Sequence, residues 1–288
     1  SSAASDVYKR QVCENTARLG LPTRLITTVG EDMYGEKIRS WCRECGIATD
    51  SFVTLPGKNS SSYVSIHRND GEMAVALSDM RILQELTPAR LEPMRDKLAN
   101  AAAIVVDGCL PQETLRYIIR TYGGSVPIFA DPVSTAYARR MRPVLRGIDT
   151  LKPNRLEAEI LSGRSIRCEA DYFRAAEGIL AQGVRRVIIS AGSRGCYYAD
   201  NMGQRLWSRT RPLQQVENAT GAGDSFMAGL LYSAAQRYWL GDTMDFAMGA
   251  ALAALQARTT INPELIWQLV REQKRPRTPV IPTGLTGK

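Results

Sequence analysis

From residue 103 to residue 190, short apolar runs alternate with stretches of helical periodicity, joined by links of only a few residues. Residues 103–106, 126–130, Thr150–Leu151 and Arg186–Ser190 read as strands. Residues 111–122, 135–145, 154–161 and 169–182 read as the helices around them, and 91–101 as one more ahead of the first strand. Strand–helix alternation with short links builds right-handed parallel crossovers. The pattern therefore predicts an α/β fold with a doubly wound, mainly parallel sheet flanked by helices. Such sheets bind ligands beyond the carboxyl ends of their strands, at a topological switch point.

The rest of the chain hangs on that frame. Residues 12–20 read as the tail of a helix stopped by Gly20, and the eleven residues before it look like a leader that is not native. Residues 25–29 form an apolar strand, and 34–45 a helix after the turn Gly30-Glu31-Asp32. Residues 51–55, 61–66 and 73–77 are β-rich, with Asn69-Asp70-Gly71 as a hairpin signal, so 50–80 reads as a small β-unit. Residues 196–199 and 204–208 read as a second hairpin, followed by helices over 222–238, 244–257 and 263–273. The expected organisation is a leader (1–11), one domain (12–274) with the β-unit inserted, and a flexible tail (275–288).

Bulk properties narrow the function. The 288 residues suffice for one large α/β domain. No apolar run approaches the ~20 residues of a membrane span. The net charge of +8 is spread over scattered Lys and Arg, which suits an enzyme handling anionic phosphates better than a nucleic-acid binder. Six cysteines without dense spacing fit a reducing, cytoplasmic setting. Cys42 and Cys45 have no second pair to complete a zinc site and read as packing residues. His67 is the one histidine and lies in an expected strand, so it reads as non-catalytic.

The sharpest motif is Asn218-Ala219-Thr220-Gly221-Ala222-Gly223-Asp224-Ser225-Phe226. Two glycines flank one small residue, and a helix follows at once. Glycines let backbone N–H groups converge, and a helix N-terminus adds partial positive charge. Gly221, Ala222 and Gly223 would cradle a phosphoryl group, and Asp224 would accept a proton from an attacking hydroxyl. The alternative is a plain loop-to-helix cap. No Gly-Lys-Ser/Thr follows, so this is not a Walker A loop.

Thr220-Gly221-Ala222-Gly223-Asp224, followed by Ser225-Phe226-x-Ala228-Gly229, resembles the C-terminal signature of the ribokinase/pfkB carbohydrate kinase family. The resemblance extends from about Val12 to Asn262. It implies a ribokinase-like fold and an ATP-dependent kinase with Asp224 as base and the preceding amides as anion hole. Lys152-Pro153-Asn154-Arg155-Leu156-Glu157 is similar to the family's Asn-x-x-Glu segment, which implies that Asn154 and Glu157 organise Mg²⁺ through water. The same pair also fits a helix capping box. Ser190-Ala191-Gly192-Ser193-Arg194-Gly195 resembles the nucleotide loop, which puts Ser190, Gly192 and Gly195 beside ATP, and Asn262 falls where the family lines the adenine site.

The β-unit resembles the family's lid over the acceptor. With Asp131-Pro132-Val133-Ser134, its wording is closest to the pseudouridine kinase branch, which implies transfer to a nucleoside 5′-hydroxyl. Ser61, Ser62, Tyr63 and Asp79 are then the substrate candidates. A kinase for a free sugar (ribose or fructose type) and a non-catalytic nucleoside-binding module are the alternatives. Two departures stand out. Asn218 occupies a position where many members carry Asp, which puts K⁺ activation in doubt. The family's first strand and Gly-Gly loop, with the Asp that grips sugar hydroxyls, would precede Val12, where Ser1–Gln11 stands. The exposed lid implies a possible homodimer, with no nucleic-acid or membrane partner.

Overall fold

The computed structural model describes residues 8–67, 73–210, 221–257, 261–262, 269–270 and 278–279. The chain divides into two compact units: residues 1–94 with 215–274, and residues 95–214 with 275–288.

The first unit opens with helix α1 (Tyr8–Arg18), which starts four residues ahead of Val12 and buries Gln11, inside the segment expected to be a leader. Strand β1 (Thr27–Gly30) is followed by α2 (Met33–Glu44) and β2 (Phe52–Leu55). Asp32 caps α2 by accepting from Gly35 N at 2.7 Å. β2 pairs in parallel with β1, from Thr27↔Phe52 to Gly30↔Leu55. The expected three-stranded β-unit is thereby corrected: only β3 (Ser62–His67) and β4 (Met73–Asp79) pair with each other, antiparallel. The turn between them lies outside the described residues. Leu25, Ile38, Cys42 and Ile47 form a small core with Cys13 and Cys45 packed on it, so the Cys42/Cys45 pair is packing material. Among the described residues no cysteine is in a disulfide, and no group of His, Cys, Asp or Glu is arranged to hold a metal ion.

A helix expected over 91–101 is broken. Pro93 removes a backbone donor and its ring crowds the preceding turn. The segment becomes α3 (Pro88–Leu91), a 3-10 turn and α4 (Arg95–Ala99). After the second unit the chain returns to the first as α9 (Ala222–Ala235) and α10 (Leu240–Leu255). A Cβ on Gly229 would stand 2.6 Å from Ala247 Cα, so these helices touch backbone to backbone. Phe246 stacks on Tyr232 at 4.7 Å and joins Leu19, Ala228, Ala250 and Ala253 in the core. Of the expected helix 263–273, only Leu269 and Val270 are among the described residues.

The second unit is a seven-stranded sheet in chain order: β5 (Ile104–Asp107), β6 (Ile128–Asp131), β7 (Thr150–Leu151), β8 (Arg186–Ser190), β9 (Cys196–Asp200), β10 (Arg205–Ser208) and β11 (Thr278–Pro279). β5 to β8 run parallel, and β9 to β11 extend the sheet antiparallel. β11 lies within the tail expected to be flexible and pairs Thr278 with Trp207. The helices α5 (Gln112–Tyr122), α6 (Thr135–Met141), α7 (Arg155–Ser162) and α8 (Glu169–Leu180) contact one another in sequence. Pro143 ends α6 at Met141, short of the expected Leu145, and a 3-10 turn follows. β7 has only two residues. Leu151 is fully buried, and β7 is held by hydrogen bonding to both β6 and β8. Among the described residues no helix is long and apolar enough to cross a membrane.

Candidate active site

In the second unit the carboxyl ends of β7 and β8 bring four expected residues together. Asn154 and Ser190 form a parallel bridge, and Ser190 N donates to Pro153 O at 2.9 Å. Asn154 Oδ1 accepts from Glu157 N at 2.9 Å, while Glu157 Oε2 accepts from Asn154 N at 2.8 Å. This is the capping box, and it fixes both side chains over the first turn of α7. Glu157 is buried.

The loop after β8 turns at Gly192 (φ +61°), where an added Cβ would meet nothing within 4 Å. Gly195 is different. At φ +100° its added Cβ would stand 2.0 Å from Ser208 O, so this glycine lets the loop close against β10. Internal packing by itself therefore requires a glycine at this position. The loop is fastened on its other sides too: Arg194 Nη2 donates to Tyr172 OH at 3.0 Å, Trp207 Nε1 donates to Arg194 O at 3.2 Å, and Thr210 Oγ1 donates to Ser193 O at 2.6 Å. Gly195→Ala is expected to destabilise the protein by at least about 2 kcal/mol through backbone strain and overpacking. A urea titration checks this, and an unchanged midpoint would contradict the close approach.

Sequence reasoning missed a buried ion pair beside this loop. Lys152 Nζ lies 3.1 Å from Asp131 Oδ2, and both side chains are under 10% exposed. Asp131 Oδ1 also accepts from Val133 N at 3.0 Å, and Val133 sits at φ +69°, a strained place for a β-branched residue. Lys152 also lies near Cys196, whose thiol burial pushes up to about 12 against the pull of that ammonium. Among the described residues Asp131 is the carboxylate paired with Lys152, whose ammonium carries three N–H donors. The available signal was a charged residue at the end of one buried strand, Asp131, and another just past the end of the next, Lys152, where charges are rare unless paired.

In the first unit α9 starts at Ala222, with Gly221 as cap at φ +87° and no capping side chain. The helical ladder begins with Ser225 N donating to Gly221 O at 2.9 Å, so the amides of Ala222 and Gly223 precede its first rung. Asp224 stands partly exposed on that turn. Asn218, Ala219 and Thr220 lie outside the described residues.

The lid candidates fare unequally. Ser61 is buried, and its Oγ has no hydrogen-bond partner among the described residues. Ser62 is half-buried and stands opposite Asp79 in the ladder. The backbone of Tyr63 pairs with Ser78, and its side chain lies outside the described residues. Asp79 is engaged by Arg81 through both oxygens, at 2.9 and 2.6 Å, and the hydrogen bonds from that side chain hold its carboxyl at about 2. It is thus an ionised acceptor already occupied by its neighbour. Asn262 Nδ2 donates to Ala253 O at 2.9 Å, closing the last turn of α10.

The root of the lid is a second feature the sequence did not announce. Ser60 N and Oγ donate to the two oxygens of Asp32, each at 2.7 Å, and Gly30 N donates to Ser60 Oγ at 2.9 Å. Burial opposes the charge on Asp32, but the hydrogen bonds from Ser60, Gly35 and Tyr34 outweigh it and hold the carboxyl below its usual range. An added Cβ on Gly30 would meet Lys58 O at 2.1 Å, which is why the strand end and the lid entry meet at a glycine.

Residues 11–267 match the model of the pfkB family of carbohydrate kinases. The chain belongs to that family. It is 37% identical to the pseudouridine kinase of Escherichia coli (strain K12), over 89% of this chain and 81% of that one. Among solved structures it superposes on a putative sugar kinase from Clostridium perfringens with a TM-score of 0.83 at 28% identity, covering 94% of this chain and 87% of the other. The Arabidopsis thaliana ribokinase complexed with ribose and ATP follows at 0.82 and 20% identity, covering 91% and 86%, and shares the fold. The fold is ribokinase-like, and the protein is an ATP-dependent carbohydrate or nucleoside kinase.

Proposed function

We propose that this kinase phosphorylates the 5′-hydroxyl of pseudouridine, yielding pseudouridine 5′-phosphate and ADP. The observation that carries the reading is the 37% identity to a pseudouridine kinase over 89% of the chain. Asp224 takes the hydroxyl proton. The hydroxyl oxygen bonds to the γ-phosphorus while the bond to the departing ADP breaks. Gly221, Ala222 and Gly223 offer amides to the charge that develops on the phosphoryl oxygens.

Asn154, Ser190, Gly192 and Gly195 serve the nucleotide, with Gly195 acting through loop shape. Lys152 suits an anionic ligand because its buried ammonium has three N–H donors and faces Asp131 with one side. The residues also fit Mg²⁺. Asn154 Oδ1 and Glu157 Oε2 are fixed together at the start of α7 and would hold a hydrated Mg²⁺, which prefers oxygen ligands. Mg²⁺ supplies neutralisation of phosphate charge. Ser61 supports an acceptor role for the lid, since its buried hydroxyl has no hydrogen-bond partner among the described residues. A cytoplasmic location and lid-to-lid dimerisation complete the reading.

A panel of pseudouridine, uridine, ribose and fructose with ATP and Mg²⁺ tests it. Pseudouridine is expected to give the highest kcat/KM. Turnover of ribose without pseudouridine would overturn the substrate, and binding of pseudouridine without turnover of any acceptor would favour a binding module.

A further inference from the structure

α1 packs against α9, and the contact contains a polar link that apolar packing does not require. Asn15 and Ser225 are both fully buried, and Asn15 Nδ2 donates to Ser225 Oγ at 3.0 Å. The other amide atom, Asn15 Oδ1, has no hydrogen-bond partner among the described residues. A buried acceptor left unsatisfied costs stability relative to an apolar side chain of the same shape. Val12 in α1 and Leu19 just after it show that this segment has apolar residues for its core face. Something other than stability therefore explains an amide at position 15.

The neighbourhood of Ser225 shows what the link controls. Ser225 follows Asp224 directly. The cap residue Gly221 contributes no side-chain hydrogen bond to the first turn of α9. The close contact of Gly229 with Ala247 holds α9 more than a turn further on. The hydrogen bond from Asn15 ties this first turn to another helix through the side chain of Ser225.

We infer that Asn15 is a positioning residue for phosphoryl transfer: through Ser225 it fixes the rotation of the first turn of α9, and with it the aim of the Asp224 carboxylate. This rests on the reading of Asp224 as the base.

Asn15→Leu keeps the branched shape of the side chain and removes its polar amide atoms. It is expected to lower kcat about 10- to 100-fold, as for a small misplacement of a reacting group, with KM for ATP and the thermal midpoint little changed. Ser225→Ala, which deletes one oxygen, is expected to give the same loss, and the double variant no more than either single one. In an Asp224→Asn background, adding Asn15→Leu is expected to change nothing further.

A kcat within about twofold of the parent for both single variants would overturn the inference. So would an Asn15→Leu effect that persists in full in the Asp224→Asn background. If Asn15→Leu fails to fold, Ser225→Ala carries the measurement. Full turnover by Asp224→Asn alone removes the base assignment and the inference with it. Loss of turnover in Asp224→Asn with no effect of Asn15→Leu or Ser225→Ala removes the inference only.

Discussion

Asp224→Asn is expected to lower kcat by about 10²- to 10⁴-fold while leaving nucleotide binding in place, the range a positioned general base contributes. The substitution keeps the size and hydrogen-bonding reach of the side chain and removes its ability to take a proton at neutral pH. It leaves the helix start alone, because the first rung of α9 is a backbone bond from Ser225 N to Gly221 O. Steady-state kinetics with pseudouridine, alongside calorimetric titration with a non-hydrolysable ATP analogue, separate the two effects. Unchanged kcat would remove Asp224 from the chemistry, and loss of nucleotide binding together with kcat would show that the residue shapes the site rather than acting in it.

The second large effect concerns the buried ion pair of Lys152 and Asp131. Lys152→Met removes the cation and leaves the Asp131 carboxylate with its lysine partner gone, in a setting where both side chains are under 10% exposed. Breaking such a pair from one side costs about 3–5 kcal/mol, whereas replacing both partners by apolar residues is often close to neutral. Lys152→Met is therefore expected to shift the urea midpoint strongly, and Lys152→Met with Asp131→Leu to recover most of the loss. The double variant, though folded, is expected to show a raised KM for ATP, because the ammonium offered to anionic oxygens is gone. Equal stability of Lys152→Met and the parent would contradict the buried pair, and a folded double variant with unchanged KM would restrict Lys152 to a structural role.

Much of this was legible in the chain because it is encoded locally. Arg186–Ser190 and Thr150–Leu151 have the bounds that their apolar runs suggest. Asn154 with Glu157 three residues later specifies its own capping box, since every donor and acceptor in it comes from four consecutive residues. Glycine spacing marks the turn ahead of α9 for the same reason. The helix breaks at Pro93 and Pro143 were equally local and were passed over because the apolar period continues through them.

What the chain by itself determined is the alternation that makes an α/β fold, the place of the Gly-Ala-Gly-Asp turn at a helix start, and the family signature around Asp224. Those follow from periodicity and from backbone freedom, which each residue carries with it. Tertiary structure alone decided that Phe52–Leu55 pairs with Thr27–Gly30 and not with the hairpin, since a strand's period names its faces but not its neighbour. It alone decided that Gly195 answers to Ser208 O, that Lys152 finds Asp131, and that Asn15 finds Ser225 across 210 residues. A glycine, a charge or an amide states what contact it permits or needs, and only the folded chain supplies the atom on the other side.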